Sequence, residues 1–207
     1  MEEKESPYIL SSEEIRSLPL HSFPGTIHLV REPEEMERFC GSLLNEKIFG
    51  FDTETKPTFK KGDKNDVSLI QLATENTAWI FSFNHLKSMP TLLRKVLESK
   101  HILKIAQDPA YDLKELKAKY HLQAGGFIDI HDIARKLNCP SRNLQTLSAL
   151  FLNHRISKAA QTSNWKNDPL TQKQILYAAT DAWVPLLVYN KWQETGLLSA
   201  VMNEAKV

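Results

Sequence analysis

Cysteine, long apolar runs and excess charge are all scarce in this 207-residue sequence. Its two cysteines, Cys40 and Cys139, form neither a metal-spaced pair nor a disulfide framework, which favours a reducing compartment. No apolar run approaches the length of a transmembrane helix, and the first residues lack the charged-then-apolar pattern of a secretion signal. We therefore expect a cytoplasmic protein, or a nuclear one if its source has a nucleus, with no membrane partner.

Several functional classes lack their usual sequence features here. The formal net charge is +1, so any contact with nucleic acid must come from local basic patches. The histidines are scattered without zinc-site spacing, and the absence of a Gly-x-x-x-x-Gly-Lys-Ser/Thr loop disfavours an ATPase or helicase. A hydrophobic content of 42% and a charged content of 25% are typical of a globular domain.

The order of strand and helix patterns predicts an α/β fold. An early three-strand meander, followed by strands that alternate with helices, favours a mixed, mostly parallel central sheet with helices on both faces. Residues 1–26 are expected to form an N-terminal extension with one short helix, ahead of a domain over residues 27–207. Strands are predicted over residues 26–30, 47–54, 67–73, 77–83, 101–106 and 127–131, and helices over 33–46, 89–98, 108–120, 132–137, 144–153 and 171–195.

Four carboxylates and one tyrosine carry most of the functional information. Asp52 and Glu54 are two residues apart, so they share one face of a strand. Tyr177 and Asp181 are four apart, so they share one face of a helix. Asp112 follows a neighbouring strand, and the carboxyl ends of such strands meet at the edge where α/β sheets bind ligands. Carboxylates gathered in apolar segments repel each other, so we expect divalent cations between them.

Structural roles for these acids remain open when each is taken alone. Asp52 is compatible with a strand-end cap, Glu54 with a solvent-facing strand residue and Asp181 with an ion pair on a helix. Their joint order and placement favour a metal site. Asp108 precedes Pro109, and we expect it to cap the following helix rather than to act as a further ligand.

The motifs resemble those of the DEDD superfamily of 3′→5′ exonucleases. Beyond the acids, the segments Val67–Leu72, Ser163–Trp165, Pro169–Thr171 and Tyr177–Ala182 are similar to Werner-syndrome-type and ribonuclease D-type exonucleases. The histidine branch of the superfamily places its base where this sequence has Leu176, so the tyrosine branch is favoured. The resemblance covers residues 27–195 and implies an RNase H-like fold that removes nucleotides from a 3′ end.

The resemblance also implies a cofactor and a role for each acid. Two divalent ions, Mg²⁺ or Mn²⁺, are expected, with Asp52 bridging both and Glu54 and Asp181 completing one site. Asp112 would support the second ion, and Tyr177 would orient the attacking water. DNA with a free 3′ end is the favoured substrate, and a ribonuclease D-like activity on RNA is the alternative. A non-catalytic nucleic-acid-binding module is disfavoured because the acids and the tyrosine are intact.

Basic residues near the acids predict contacts with the substrate strand. Lys56, Lys60 and Lys61 lie with Phe59 in the loop after the first two acids. Cations interleaved with an aromatic residue suit single-stranded nucleic acid, and a solvated flexible loop is the alternative. Lys158 is a further candidate for contact with the phosphate backbone.

Two other groups have structural interpretations. The segment Asp129–Asp132 contains ligand-type side chains, but His131 lacks a second histidine at metal spacing, so a helix cap or structural network is favoured. Trp165 is expected to be a packing residue.

Overall fold

The structure, a computed structural model, describes residues 9–58, 65–84, 86 and 88–204. Within these ranges six strands form one sheet in the order β1-β4-β3-β2-β5-β6. The strands are β1 (Thr26–Val30), β2 (Ile48–Thr55), β3 (Val67–Ala73), β4 (Thr77–Ser82), β5 (Leu103–Ala106) and β6 (Phe127–Asp129). The helices are α1 (Ser12–Ser17), α2 (Pro33–Leu43), α3 (Thr91–Glu98), α4 (Ala110–Tyr120), α5 (Ile130–Lys136), α6 (Leu144–Leu152), α7 (Gln172–Glu194) and α8 (Leu197–Glu204).

The strand directions confirm the predicted mixed sheet. β2, β3 and β4 form an antiparallel meander, while β1 pairs in parallel with β4. On the other side, β5 pairs in parallel with β2, and β6 with β5. Only β3 therefore runs against the other five strands of the described sheet.

Helices cover both faces of this sheet, as the sequence predicts. On one face α5, α6 and α7 pack against the sheet, and Leu147 of α6 and Trp192 of α7 share a core with Ile105 of β5. On the opposite face α2, α3 and α4 bury Phe49 and Leu116. The strands between the two layers are buried on both sides, and β3 is buried at every position.

β2 extends beyond its pairing with the neighbouring strand β5. Its pairing with β5 covers only Ile48 to Gly50, although β2 continues to Thr55. Past Gly50, β2 has no strand partner on that side among the described residues. The remaining half of β2 therefore borders a cleft at the carboxyl end of the parallel strands.

The predicted cap of α4 is wrong by one residue. Asp108 has a backbone φ of +49°, in the left-handed region, and Pro109 is the residue that precedes the helix. The backbone N–H of Asp108 donates to the Asp129 carboxylate at 2.9 Å, so this contact, and not a helix cap, fixes Asp108. Asp112 still lies in the first turn of α4, as predicted.

The chain ends are also described in part. α1 is the short helix predicted in the N-terminal extension; a Ser11–Glu14 capping box opens it, and Phe23 reaches the core at 4% exposure. α8 was not expected from the sequence; it follows Gly196, whose φ of +76° ends the run of α7.

None of the helices in the described ranges combines the length and hydrophobicity needed to cross a bilayer. The domain boundary at residue 26 stays a prediction.

Candidate active site

One face of β2 lies directly against α7. Gly50, Asp52 and Glu54 alternate along the strand and therefore point to the same side of the sheet. A side chain at Gly50 would collide with the backbone carbonyl of Ala182 in α7. The missing Cβ lets the helix backbone approach the strand, and this approach brings Asp52 and Glu54 to the helix face that carries Asp181.

The start of α7 is fixed by the segment that precedes it. Thr171 and Gln174 form a capping box at the start of the helix predicted over residues 171–195. The Gln174 side-chain amide donates to the Ser163 hydroxyl and to the Asn164 carbonyl, each at 3.1 Å. Trp165, the next residue, is fully buried, and its ring centroid lies 5.9 Å from that of Tyr177. Trp165 is thus the packing residue that the sequence predicts, and it holds the tyrosine in place.

Three of the predicted acids meet at the junction of β2 and α7. One carboxylate oxygen from each of Asp52, Glu54 and Asp181 lies within 4.8 Å of the other two. Glu54 and Asp181 are each only 8% exposed, whereas Asp52 is partly open to the adjacent cleft. The structure therefore assembles an oxygen cluster from residues that are far apart in the sequence.

Burial and mutual repulsion make these carboxyls hard to ionise. Removal from solvent, followed by the charges of Asp181 and Asp112, raises the pKa of Asp52 well above its usual value. The same two causes, burial first and then Asp52, raise the pKa of Glu54 to about 10. Burial raises the pKa of Asp181 to about 7, and the nearby Tyr177 hydroxyl partly opposes this increase.

Asp112 joins the site from the opposite face of the sheet. It lies on α4, outside the three-oxygen cluster, and its charge is one of those that raise the pKa of Asp52. Burial raises the pKa of Asp112 itself, and the Thr53 hydroxyl opposes that increase. Among the described residues, the Thr53 hydroxyl oxygen has no hydrogen-bond partner.

The donor set fits a divalent cation. Buried oxygens of Asp181 and Thr53, and both amide atoms of Gln71, have no hydrogen-bond partner in the described part of the chain. Gln71 is the residue of β3 that pairs with Asp52 of β2. Buried polar atoms without partners are costly, and oxygen donors with carboxylate charge are the ligands that Mg²⁺ and Mn²⁺ prefer. Asp52, Glu54 and Asp181 can therefore hold such an ion.

Tyr177 stands one helical turn before Asp181 and is 7% exposed. Burial, followed by the charge of Asp181, raises the pKa of Tyr177 above its usual value near 10. Its hydroxyl is therefore neutral at physiological pH and able to donate a hydrogen bond.

A cavity of about 340 Å³ opens over the acids. No sequence pattern points to the side-chain amides around it, because they come from loops and helix starts. The nearest signals are the position of Gln107 just after β5 and the N-cap role of Asn143, whose carboxamide accepts from the Thr146 backbone N–H. The lining residues besides the acids are Thr53, Gln107, Asp108, Asn143, Leu144, Gln145, Gln161 and Tyr177.

The predicted substrate-contact residues are only partly described. Phe59, Lys60 and Lys61 lie outside the described residues. Lys56 is partly exposed, and its backbone carbonyl accepts from the Asn65 side-chain amide at 2.9 Å. Lys158 is exposed four residues after His154 and three before Gln161, which lines the cavity.

The second group of ligand-type residues serves as a helix cap. The Asp129 carboxylate accepts from the backbone N–H of His131 at 2.8 Å and opens α5. It also accepts from the Asp108 N–H, and Asp132 pairs with Arg135 at 3.0 Å. The ligand-type atoms of Asp129, His131 and Asp132 lie close enough to one another for a cation, but hydrogen bonds and an ion pair already engage both carboxylates.

The fold and the acid cluster define a nuclease of the RNase H-like class. A family model described as 3′-5′ exonuclease matches residues 27–196. The chain belongs to this family, so the prediction of a DEDD-type 3′-5′ exonuclease is confirmed. A mouse relative, the bifunctional 3′-5′ exonuclease/ATP-dependent helicase WRN, is 32% identical over 201 residues. That match covers 92% of this chain and 14% of the mouse protein, so the chain spans a small part of that relative's length.

Solved structures share the architecture. The Aedes aegypti Nibbler EXO domain superimposes with a TM-score of 0.76 at 25% identity, over 87% of this chain and 94% of that one. Ribonuclease D of Escherichia coli, an exoribonuclease involved in structured RNA processing, superimposes with a TM-score of 0.73 at 20% identity. The superposition covers 87% of this chain and 49% of ribonuclease D. At this identity the likeness supports only the fold assignment.

Proposed function

We propose that this chain hydrolyses phosphodiester bonds from the 3′ end of DNA by a two-metal-ion mechanism. The observation that carries the proposal is the cluster of Asp52, Glu54 and Asp181 oxygens beside the Tyr177 hydroxyl, in a cavity that opens at the sheet edge. Asp112 on α4 adds the fourth carboxylate of the family motif.

Each side chain has a definite task in this proposal. Asp52, on which the charges of both Asp181 and Asp112 act, would serve both ions, Glu54 and Asp181 would complete one site, and Asp112 would support the other. When bound, the ions activate water and stabilise the charge that develops on the phosphate and on the leaving 3′ oxygen. The neutral Tyr177 hydroxyl would hydrogen-bond the attacking water and align it with phosphorus. The new bond joins that water oxygen to phosphorus while the bond from phosphorus to the 3′ oxygen breaks.

Mg²⁺ or Mn²⁺ is the proposed ion because the donors are carboxylates with additional neutral oxygens nearby. Such ions keep part of their water shell and share phosphate oxygens with the substrate. The buried carboxyls must lose their protons when an ion binds, so binding should release protons into solution. This release separates metal uptake from adventitious surface binding.

DNA is the proposed substrate because the chain resembles the Werner-type exonuclease domain along most of its length. RNA is the alternative, since ribonuclease D shares the fold. The two substrates differ in the 2′-hydroxyl, and the side chains of Gln107 and Gln161, which line the cavity, are the candidate groups for contacting it. We also propose a cytoplasmic location, or a nuclear one if the source has a nucleus.

The substrate assignment is tested by comparing matched strands. The wild-type chain is incubated with 5′-labelled single-stranded DNA, RNA of the same sequence and a DNA duplex with a recessed 3′ end. Faster shortening of the DNA strands supports the proposal, and faster shortening of the RNA strand replaces it with the ribonuclease D-like alternative. Strands that are bound without shortening in any of the three lanes would point to a non-catalytic binding module.

A further inference from the structure

A second cavity, of about 280 Å³, lies next to the first one. Tyr177 contributes to the walls of both cavities, so they adjoin at the residue proposed to orient the attacking water. The other lining residues come from the N-terminal segment, from the loop after α6 and from α7; they are Leu20, His21, Ser22, Ser157, Ala159, Ala160, Lys173, Leu176 and Thr180.

The N-terminal wall of this cavity is built by specific hydrogen bonds. Leu20 forms a parallel bridge with Arg155, and the His21 N–H donates to the Arg155 carbonyl at 2.8 Å. The Arg155 guanidinium donates in turn to the Leu18 carbonyl at 3.1 Å, which uses this side chain for structure. Farther on, the Phe23 N–H donates to the Thr180 hydroxyl on α7 at 3.0 Å. Residues 18–23 are therefore tied on both sides of the opening.

The imidazole of His21 is held as firmly as its backbone. Its Nδ1 lies 3.1 Å from Nε2 of His154, and the ring packs edge-on against Trp183 at 5.6 Å between centroids. A ring that is fixed at a cavity wall offers a flat surface at low entropic cost.

The cavity is mostly apolar inside and basic at its mouth. Two of the exposed large hydrophobic side chains of the described residues, Leu20 at 54% and Leu176 at 38%, border it. Its lining contains no carboxylate and includes exposed Lys173, while exposed Lys158 sits in the loop between two lining residues. Among the described residues, neither lysine side chain has an ion-pair partner.

From this combination we infer that the second cavity is a nucleobase subsite, which takes up one base of the substrate strand while Lys158 and Lys173 contact the adjoining phosphates. The inference rests on the proposed function. It adds that the residues lining the second cavity determine the affinity for the substrate strand. An apolar slot flanked by hydroxyls and an imidazole suits an aromatic ring with polar edges, and cations at the mouth suit a phosphate backbone. The shared wall at Tyr177 places this base beside the scissile phosphate.

The subsite is tested by filling it and by removing bases from the substrate. Ala159→Trp places an indole in the cavity from an exposed loop position, and Ala118→Trp is the matched control, exposed on α4 and lining neither cavity. Each variant is assayed on single-stranded oligonucleotides that carry one abasic nucleotide at successive positions from the 3′ end. The readout is kcat/KM for release of the terminal nucleotide, together with the affinity for the strand in EDTA.

We expect one abasic position to lower kcat/KM and affinity of the wild type by about tenfold, the size of one lost base–protein contact. Ala159→Trp should show that loss on intact strands and no further loss at the same abasic position, whereas Ala118→Trp should behave as wild type. Equal kcat/KM for Ala159→Trp and wild type on intact strands would overturn the subsite. Absence of cleavage by the wild type would instead overturn the proposed function, so the two failures are distinct.

Discussion

Gly50 of β2 lies directly beneath the carbonyl of Ala182 in α7, two residues from Asp52 and one from Asp181. The contact sets the separation between the strand and the helix that carry the acids. Because the obstacle to a side chain here is backbone, it cannot turn away as a flexible side chain would. The geometry of the acid cluster therefore depends on a glycine outside it.

We expect Gly50→Ala to destabilise the fold by about 1–3 kcal/mol, the usual cost of overpacking a core, and to lower activity by moving α7 away from β2. Urea unfolding and the exonuclease assay measure the two effects. Gly41→Ala is the matched control, since its new methyl would meet only a Leu92 side-chain atom at 3.8 Å and helix α2 would gain in propensity. Equal stability of the two variants would contradict the role of Gly50.

The raised carboxyl pKa values predict the pH dependence of stability without metal. The folded chain keeps protons that the unfolded chain releases near pH ~4, so stability in EDTA should fall as the pH rises above that value. The fall should continue through the pKa of Asp181 near 7 and toward that of Glu54 near 10. Thermal melts across this range measure it.

Asp52→Asn should flatten that decline, because it removes one acid and its repulsion of the others. Asp132→Asn is the control, since this acid is exposed on α5 and lies outside the cavity. Added Mg²⁺ should raise the melting temperature of the wild type most at high pH, where the carboxyls give up their protons most readily. An unchanged slope in Asp52→Asn would show that the cluster does not control it.

Tyr177→Phe keeps the ring against Trp165 and removes only the hydroxyl. We expect kcat to fall by about 100-fold, the low end for a positioned proton-transfer or hydrogen-bonding group, with the Mg²⁺ dependence nearly unchanged. Tyr189→Phe, farther along α7 and outside both cavities, should match wild type. Recovery of full activity by Tyr177→Phe at high Mg²⁺ would assign the hydroxyl to metal binding instead.

Lys56 and Lys158 are proposed to contact phosphates rather than bases. Lys158→Glu should weaken binding of single strands of any sequence and should reduce the slope of log affinity against log salt by about one. Lys56→Glu should act in the same direction. Lys136→Glu changes charge on exposed α5 and provides the comparison. The same salt slope for Lys158→Glu and Lys136→Glu would remove Lys158 from the interface.

Local spacing predicts much of the fold and the site in this chain. Alternation along β2 places Asp52 and Glu54 on one face, and the four-residue interval on α7 does the same for Tyr177 and Asp181. The Thr171 capping box also follows from short-range rules, because its hydrogen bonds span only three residues. These features need no knowledge of the tertiary structure.

The remaining features depend on contacts between distant segments. Gln107 and Gln161 reach the cavity only because their loops converge at the sheet edge, and single amides carry no spacing signal. Asp108 looks like a helix cap from its neighbours, but its bond to Asp129 holds it in a left-handed conformation. The wall that Leu20 and His21 build beside Tyr177 arises from pairing with Arg155, far along the chain.

The most direct measurement is a time course on 5′-labelled single-stranded nucleic acid with wild type and Asp52→Ala, in Mg²⁺ and in EDTA. The Asp52, Glu54 and Asp181 cluster predicts a ladder that shortens from the 3′ end only for wild type in Mg²⁺. The variant should remain folded by circular dichroism, since Asp52 is partly exposed and its ionisation is unfavourable in the metal-free chain. Full activity of folded Asp52→Ala, or undiminished cleavage in EDTA, would contradict the metal site.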